Sequence, residues 1–322
     1  MTYTQLLTYT QLLNETITLY CEGKYLEAYS FLTENYKEVQ GNMAQIYNFR
    51  YAIASKAGLY EEAIKLMKEA ILEKGHWYSY SYLQGDEDLD ALRSHELFDQ
   101  LCDICKKREE LAVKQSLPQL KLVEPSHQQK AYPLVIGLHG NEENMAIAEY
   151  YWKNFKEKGY LLALPQSSEI KFDGGYYWND IEKGYKELGS HYTTIVENFK
   201  VQQENVILGG FSSGARVSLY FALHSKVKIK GLILIAPWLP EIEQWLPLLG
   251  RLKETKVYIV CGEDDVDCLS ETEALVKALE QTQIDYIYEK VSHLGHDFPI
   301  DFNTYIEKIL TFTRESTCSP HI

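Results

Sequence analysis

Residues 205–225 read NVILGGFSSGARVSLYFALHS, an apolar run that ends in Gly-Gly-Phe-Ser-Ser-Gly and passes straight into a helical pattern. A Gly-x-Ser-x-Gly at such a junction takes the chain through a tight strand-to-helix turn, where only small neighbours avoid a clash. Gly210 and Gly214 supply them, and Gly209 adds room. The turn lifts the Ser212 hydroxyl above the sheet, at the positive end of the following helix. With 19 Gly and 18 Ser in 322 residues the bare motif arises by chance in roughly 0.06 copies, so its setting counts for more than its letters. The competing reading, a glycine-rich phosphate loop, needs a G-x-G-x-x-G or GK[ST] spacing that is not present.

A strand-to-helix turn of this kind belongs in a layered fold, and the chain from Pro118 onward supplies one. Strands are expected at the start of KLVEPSHQQKAYP (from Lys121) and around 132–140, 160–166, 205–212, 229–237, 256–262 and 284–292. Helical patterns lie between them at 143–158, 180–199, 213–225 and 270–281, and a last one at 301–315. Near-continuous Val/Ile/Leu strands are covered on both faces, which predicts an α/β fold with a mostly parallel sheet flanked by helices.

The first 115 residues contain no proline and carry apolar residues at helical spacing, as in Tyr60, Ala63, Ile64, Met67, Ala70 and Ile71. Gly23-Lys-Tyr25-Leu-Glu-Ala28 returns as Gly58-Leu-Tyr60-Glu-Glu-Ala63 after 35 residues. Glycine permits a chain reversal and alanine a close helix crossing, so the period predicts helix–turn–helix units. At these positions the segment resembles tetratricopeptide repeats; a plain helical bundle is the alternative. The hexapeptide TYTQLL, duplicated at Thr2–Leu7 and Thr8–Leu13, extends the first helix. Two domains are therefore expected, 1–117 all-α and repeat-like, 118–322 α/β.

Charge and cysteine content narrow the function. A net charge of −14, spread as 12 basic and 18 acidic residues through Gln115 and 20 and 28 thereafter, argues against a nucleic-acid partner. No apolar run approaches the roughly 20 residues that span a bilayer, and the N-terminus lacks a basic signal-like region, so a cytoplasmic protein with no membrane association is expected. Six cysteines in a chain this long imply reduced thiols. Cys102 and Cys105 form a CxxC inside a helical run with no second ligand pair, and neither a metal nor another cofactor is expected.

Serine needs a base to become nucleophilic, and the base needs an orienting carboxylate. In a sheet of this kind the order is serine, acid, histidine. His293, His296 and His321 follow the last strand; His296, in a turn ahead of the final helix, is the favoured base. For the acid, Glu263-Asp264-Asp265-Val266-Asp267 follows a strand at its carboxyl end, with Asp265 preferred over Asp264 and Asp267. The oxyanion donors expected are the N–H of Ser213, next after the nucleophile, and of Asn141, in the turn after the strand PLVIGLHG. His139 is read as orienting that turn.

LHGNEEN, PQSS followed by YYWND, GGFSSGA, GEDDVDC and HLGHDFP, in this order, resemble the α/β-hydrolase superfamily and, more narrowly, the phospholipase/carboxylesterase-like serine esterases. The resemblance covers roughly Pro118 to Ser316 and implies Ser212 as nucleophile, His296 as base and Asp265 as acid. Where those esterases commonly carry His-Gly ahead of the acid, this chain has Cys261-Gly262. Tyr177 and Trp178, on the loop Gln166–Asp180, are candidate substrate-binding residues, with packing on the loop's own core as the alternative. The short stretch between Pro237 and Lys256 leaves no room for a large lid, which favours short or soluble acyl substrates. The expectation is hydrolysis of a small-molecule carboxylic ester through an acyl-enzyme. Its rivals are a serine peptidase or thioesterase on the same scaffold, and a helical-repeat adaptor with a vestigial hydrolase. The N-terminal helices are expected to bind a protein partner or to serve as a lid.

Overall fold

The computed structural model describes residues 7–314, so His321 and all but the last residue of the first TYTQLL copy lie outside it. The chain divides into two units, one formed by residues up to Leu117 together with Ser168–Tyr177, the other by Pro118–Ser167 and the residues from Trp178 onward.

The helical unit begins with α1 (Tyr9–Cys21), α2 (Tyr25–Asn35), α3 (Met43–Lys56) and α4 (Tyr60–Lys68), followed by α5 (Tyr80–Gly85) and α6 (Phe98–Gln115). Thr8 caps α1, accepting from the Gln11 N–H while the Gln11 side chain accepts from the Thr8 N–H. The second TYTQLL copy therefore starts the helix. The Gly-x-Tyr-x-x-Ala echo falls at equivalent places in two helical hairpins: Gly23 (φ 76°) and Gly58 (φ 80°) turn the chain, and Ala28 and Ala63 are fully buried in α2 and α4. Tyr51, Met67, Tyr78, Leu83, Phe98, Cys102 and Cys105 build the core behind them. The CxxC is part of this core, and burial pushes the Cys102 thiol up to about 12 and the Cys105 thiol to about 11. Both remain neutral and serve as small apolar side chains.

The second unit carries a seven-stranded sheet. Its elements in chain order are β1 (Gln119–Val123), β2 (Tyr132–Leu138), α7 (Met145–Trp152), α8 (Asn154–Glu157) and β3 (Leu161–Gln166). The hairpin β4 (Glu169–Phe172) and β5 (Gly175–Tyr177) comes next and belongs to the helical unit. The sheet unit resumes with α9 (Ile181–Asn198), β6 (Val201–Phe211), α10 (Ser213–His224), β7 (Gly231–Ile235), α11 (Ile242–Trp245), β8 (Lys256–Gly262), α12 (Leu269–Leu279), β9 (Tyr286–Val291) and α13 (Phe302–Arg314). Strand order is β1-β3-β2-β6-β7-β8-β9, with β1 antiparallel at one edge and the remaining pairs parallel.

Every residue of β2, β3, β7 and β8 is buried, as strands sandwiched between helices require. Each Val, Ile or Leu so enclosed contributes about 1.5–3 kcal/mol. The chain leaves β2 towards β3 on one side and returns to β6 on the other, so the order reverses between β2 and β6. Ligand sites of open parallel sheets form at the carboxyl ends flanking such a reversal.

The hairpin is the main departure from the expected layout. Asp173 and Gly174 (φ 71°) form its turn, and Ile170 and Phe172 pack on the helical core. Asp173 is tied down three times: its N–H donates to Trp77 O (3.0 Å), its carbonyl accepts from Asn42 Nδ2 (2.9 Å), and its carboxylate lies 2.6 Å from His76 Nδ1. No helix among the described residues is long and apolar enough to cross a membrane.

Candidate active site

Ser212 stands at the carboxyl end of β6, immediately before α10, with φ 53° and ψ −119°. A non-glycine residue held there costs about 1–3 kcal/mol, and it persists only where the surroundings fix it. Here the Ser212 N–H donates to Ile235 O (2.9 Å), and its carbonyl accepts from the Trp238 N–H (3.3 Å) and the Arg216 N–H (3.2 Å). The flanking glycines meet the steric demand. A Cβ on Gly210 would sit 2.4 Å from the Gly214 carbonyl carbon, and one on Gly214 2.4 Å from His139 O.

His296 follows β9 in the turn ahead of α13, and its ring centroid lies 4.9 Å from that of Phe211, the residue before Ser212. Its Nδ1 is 2.9 Å from Asp265 Oδ2. Asp265 is wholly buried, whereas Asp264 and Asp267 are exposed. The other Asp265 oxygen accepts from the backbone N–H groups of Asp267 (3.3 Å) and Cys268 (3.1 Å). Burial works against a charged imidazole, but the hydrogen bond to Asp265 and the Asp265 charge, with smaller contributions from Asp267 and Glu143, raise the His296 pKa above the ordinary histidine value. His293 (φ 59°) is exposed.

Gly262 brings the acid and histidine loops together. A Cβ there would lie 2.0 Å from Leu294 O and 2.5 Å from Gly295 O. The Glu263 N–H donates to Val291 O and the Asp264 N–H to Leu294 O, both at 2.9 Å. In the turn that follows β2, Asn141 Oδ1 accepts from Ser213 Oγ (2.8 Å) and from the Trp178 N–H (2.9 Å), bolting the turn to the start of α10. Ser213 is the first residue of α10, where a helix offers its N–H no carbonyl.

The model of the phospholipase/carboxylesterase family matches residues 123–316, more than half the chain. The chain belongs to this family. A second family model, described as the A/B hydrolase-like N-terminal domain, matches residues 8–113. A protein of Bacillus cereus, described as uncharacterized, is 45% identical over 96% of this chain and 100% of its own, with a TM-score of 0.56. Esterase PE8 is 18% identical over 60% of this chain and 99% of its own (TM-score 0.52) and shares the fold. Among sequence relatives, acyl-protein thioesterase 1 of Aspergillus fumigatus is 20% identical across 55% of this chain and 87% of its own. As a member of this family the chain is a hydrolase.

This phospholipase/carboxylesterase fold also holds its remaining candidate residues in defined places. His139 is fully buried; its Nδ1 is 2.6 Å from Gly140 O and its Nε2 accepts from the Ser167 N–H at 3.3 Å. Burial lowers its pKa to about 4, so the ring stays neutral and orients the turn. Trp178 is also fully buried, its indole N–H donating to His139 O (3.0 Å) and its carbonyl accepting from Arg216. It offers no surface to a ligand. Tyr177 ends the hairpin of the helical unit and is half-buried there.

Two carboxyl groups near His296 escaped the sequence reading. Glu143 Oε2 accepts from the Gly140 N–H at 2.8 Å, and Asp297 Oδ1 accepts from the Phe298 N–H at 2.6 Å. Burial pushes the pKa of each to about 7. The available signal was position: Glu143 lies four residues past His139, and Asp297 adjoins His296.

Gly262→Ala tests the loop contact. The methyl group has to displace backbone, not a side chain, and so separates His296 from Asp265. Misplacement by about 1 Å costs on the order of 10²-fold. A loss of that size in ester turnover, with native circular dichroism, is the expected result; unchanged turnover contradicts it.

Proposed function

We propose that this chain is a serine hydrolase cleaving carboxylic esters, with Ser212 as nucleophile, His296 as general base and acid, and Asp265 holding the imidazole. The observation that carries the reading is the backbone of Ser212, strained at a strand-to-helix turn and braced on both sides. Such strain aims a hydroxyl upward at a helix N-terminus, which is of no use to a serine that merely packs. The His296–Asp265 pair beside Phe211 supports the roles given to its members.

In this mechanism Ser212 Oγ attacks the ester carbonyl carbon while His296 Nε2 takes its proton. Asp265 accepts from Nδ1–H, which fixes the tautomer that leaves Nε2 basic and stabilises the imidazolium. The N–H groups of Ser213 and Asn141 receive the oxyanion, each worth about 2.7–4 kcal/mol. Collapse breaks the carbonyl–oxygen bond, and His296 returns the proton to the departing alcohol. Water, activated by the same imidazole, then attacks the acyl-enzyme, and Ser212 is regenerated. Short or soluble acyl groups suit the brief segment between β7 and β8.

A fluorophosphonate probe is expected to label the folded protein on the peptide containing Ser212, and Ser212→Ala is expected to abolish the label. Absence of labelling in folded wild type, or equal labelling of the variant, overturns the reading. The similarity to an acyl-protein thioesterase favours thioesters as a second substrate class. Turnover of matched acetyl ester, acetyl thioester and aminoacyl anilide substrates distinguishes esterase, thioesterase and peptidase.

A further inference from the structure

Cys268 sits inside the site without a task in acyl transfer. Its Sγ lies 3.5 Å from His296 Nδ1, the atom that is also 2.9 Å from Asp265 Oδ2. One sulfur, one nitrogen and one oxygen from Cys268, His296 and Asp265 all fall within 4.8 Å of one another. Nitrogen and sulfur ligands on tetrahedral zinc are separated by about 3.6 Å, so the Cys268–His296 pair already has the required span. The nitrogen–oxygen pair has to open by about half an ångström. Asp265 and Cys268 are buried, whereas the His296 side chain is 31% exposed and gives an ion its way in.

We propose that Asp265, Cys268 and His296 form a Zn²⁺ site and that the bound ion switches the triad off. Thiolate, imidazole and carboxylate are a donor set suited to zinc, with water as fourth ligand. Binding releases the Cys268 thiol proton to solvent. The Nδ1 proton of the neutral imidazole moves to Nε2, because the Nδ1 lone pair now holds the metal. An imidazole protonated at Nε2 cannot accept the Ser212 proton, and Asp265 is engaged by the ion. The inhibitory half rests on the serine-hydrolase reading; the binding half does not.

The test uses the full chain, free of affinity tags, with Zn²⁺ and with Co²⁺ as a spectroscopic probe. Wild type is expected to bind one Zn²⁺ per chain by calorimetry, to show a Co²⁺–thiolate charge-transfer band, and to lose at least tenfold in ester turnover. Ser212→Ala is expected to keep the band, which separates metal binding from catalysis. Cys268→Ser leaves the backbone N–H on Asp265 and is expected to lose the band and require at least tenfold more Zn²⁺ for inhibition; Cys268→Ala provides the same comparison. Cys261→Ser is expected to retain the band. Absence of a thiolate band in wild type, its persistence in both Cys268 variants, or its loss in Cys261→Ser alone overturns the proposal. If the band behaves as expected but folded, metal-free protein takes no fluorophosphonate on Ser212, the hydrolase reading fails and the zinc site stands.

Discussion

His296→Ala is expected to lower kcat for ester hydrolysis by about 10⁶-fold, as much as Ser212→Ala, and the double variant is expected to be no worse than either single one. In the proposed mechanism nucleophile and base act as a unit: without the imidazole, Ser212 Oγ keeps its proton, and without Oγ the imidazole has nothing to activate. Free energies of independent groups would add, so a double variant another 10⁶-fold slower would mean the two residues do not cooperate. A residual acceleration of about 10³–10⁴ over water should remain in all three proteins, because binding and the N–H groups of Ser213 and Asn141 are untouched. The fold is expected to survive the substitution, since the His296 side chain is 31% exposed. Parallel measurement of kcat and melting temperature for the three variants checks both statements.

The positions of these groups were legible in the sequence to unequal degrees. Ser212 could be read because its setting leaves a signature on both sides: an apolar strand before, a helix after, and glycines where a Cβ would strike backbone. His296 and Asp265 could be read because parallel sheets deliver ligand-binding loops at strand carboxyl ends, and the resemblance to α/β-hydrolases implies the order serine, acid, histidine. The choice of Asp265 over Asp264 and Asp267 rested on the resemblance as well as on loop position, and the structure adds burial: it is enclosed while the other two face solvent. Trp178 illustrates the limit. An aromatic residue on a loop looks the same whether it faces a ligand or fills a core, and only the contacts made by His139 and Arg216 tell the two apart.

The hairpin Glu169–Tyr177 was illegible for a different reason. Asp173-Gly174 between two short runs is a turn signal, but nothing local says which unit the resulting hairpin will join. That is decided by Ile170, Phe172 and the three ties to Asp173, partners nearly a hundred residues or more away in sequence. Buried acids are hidden in the same way. Glu143 and Asp297 read as surface carboxylates until the tertiary fold encloses them, and burial then raises them to about 7.

Asp265→Asn is expected to reduce kcat by about 10⁴-fold, less than loss of His296 because the base itself survives. The amide carries no charge and, with its oxygen kept on the Asp267 and Cys268 N–H groups, turns an NH2 donor toward Nδ1, so it neither stabilises the imidazolium nor selects the tautomer with hydrogen on Nδ1. With hydrogen on Nε2 the ring faces Ser212 as a donor and cannot take its proton. The pH profile gives a second, independent signature. In the proposed mechanism the imidazolium form is inactive, so the raised His296 pKa is expected to place the acid limb of wild-type kcat/KM above the ordinary histidine value of about 6.5. Since Asp265 supplies both leading causes that raise it, and burial opposes them, the limb in Asp265→Asn is expected to move to lower pH. A variant that merely loosened the loop would lose activity without that displacement. Asp264→Asn and Asp267→Asn, altering exposed carboxylates in the same loop, are expected to retain wild-type turnover within a few-fold; a 10⁴-fold loss in either of them, with Asp265→Asn active, would transfer the orienting role to that residue.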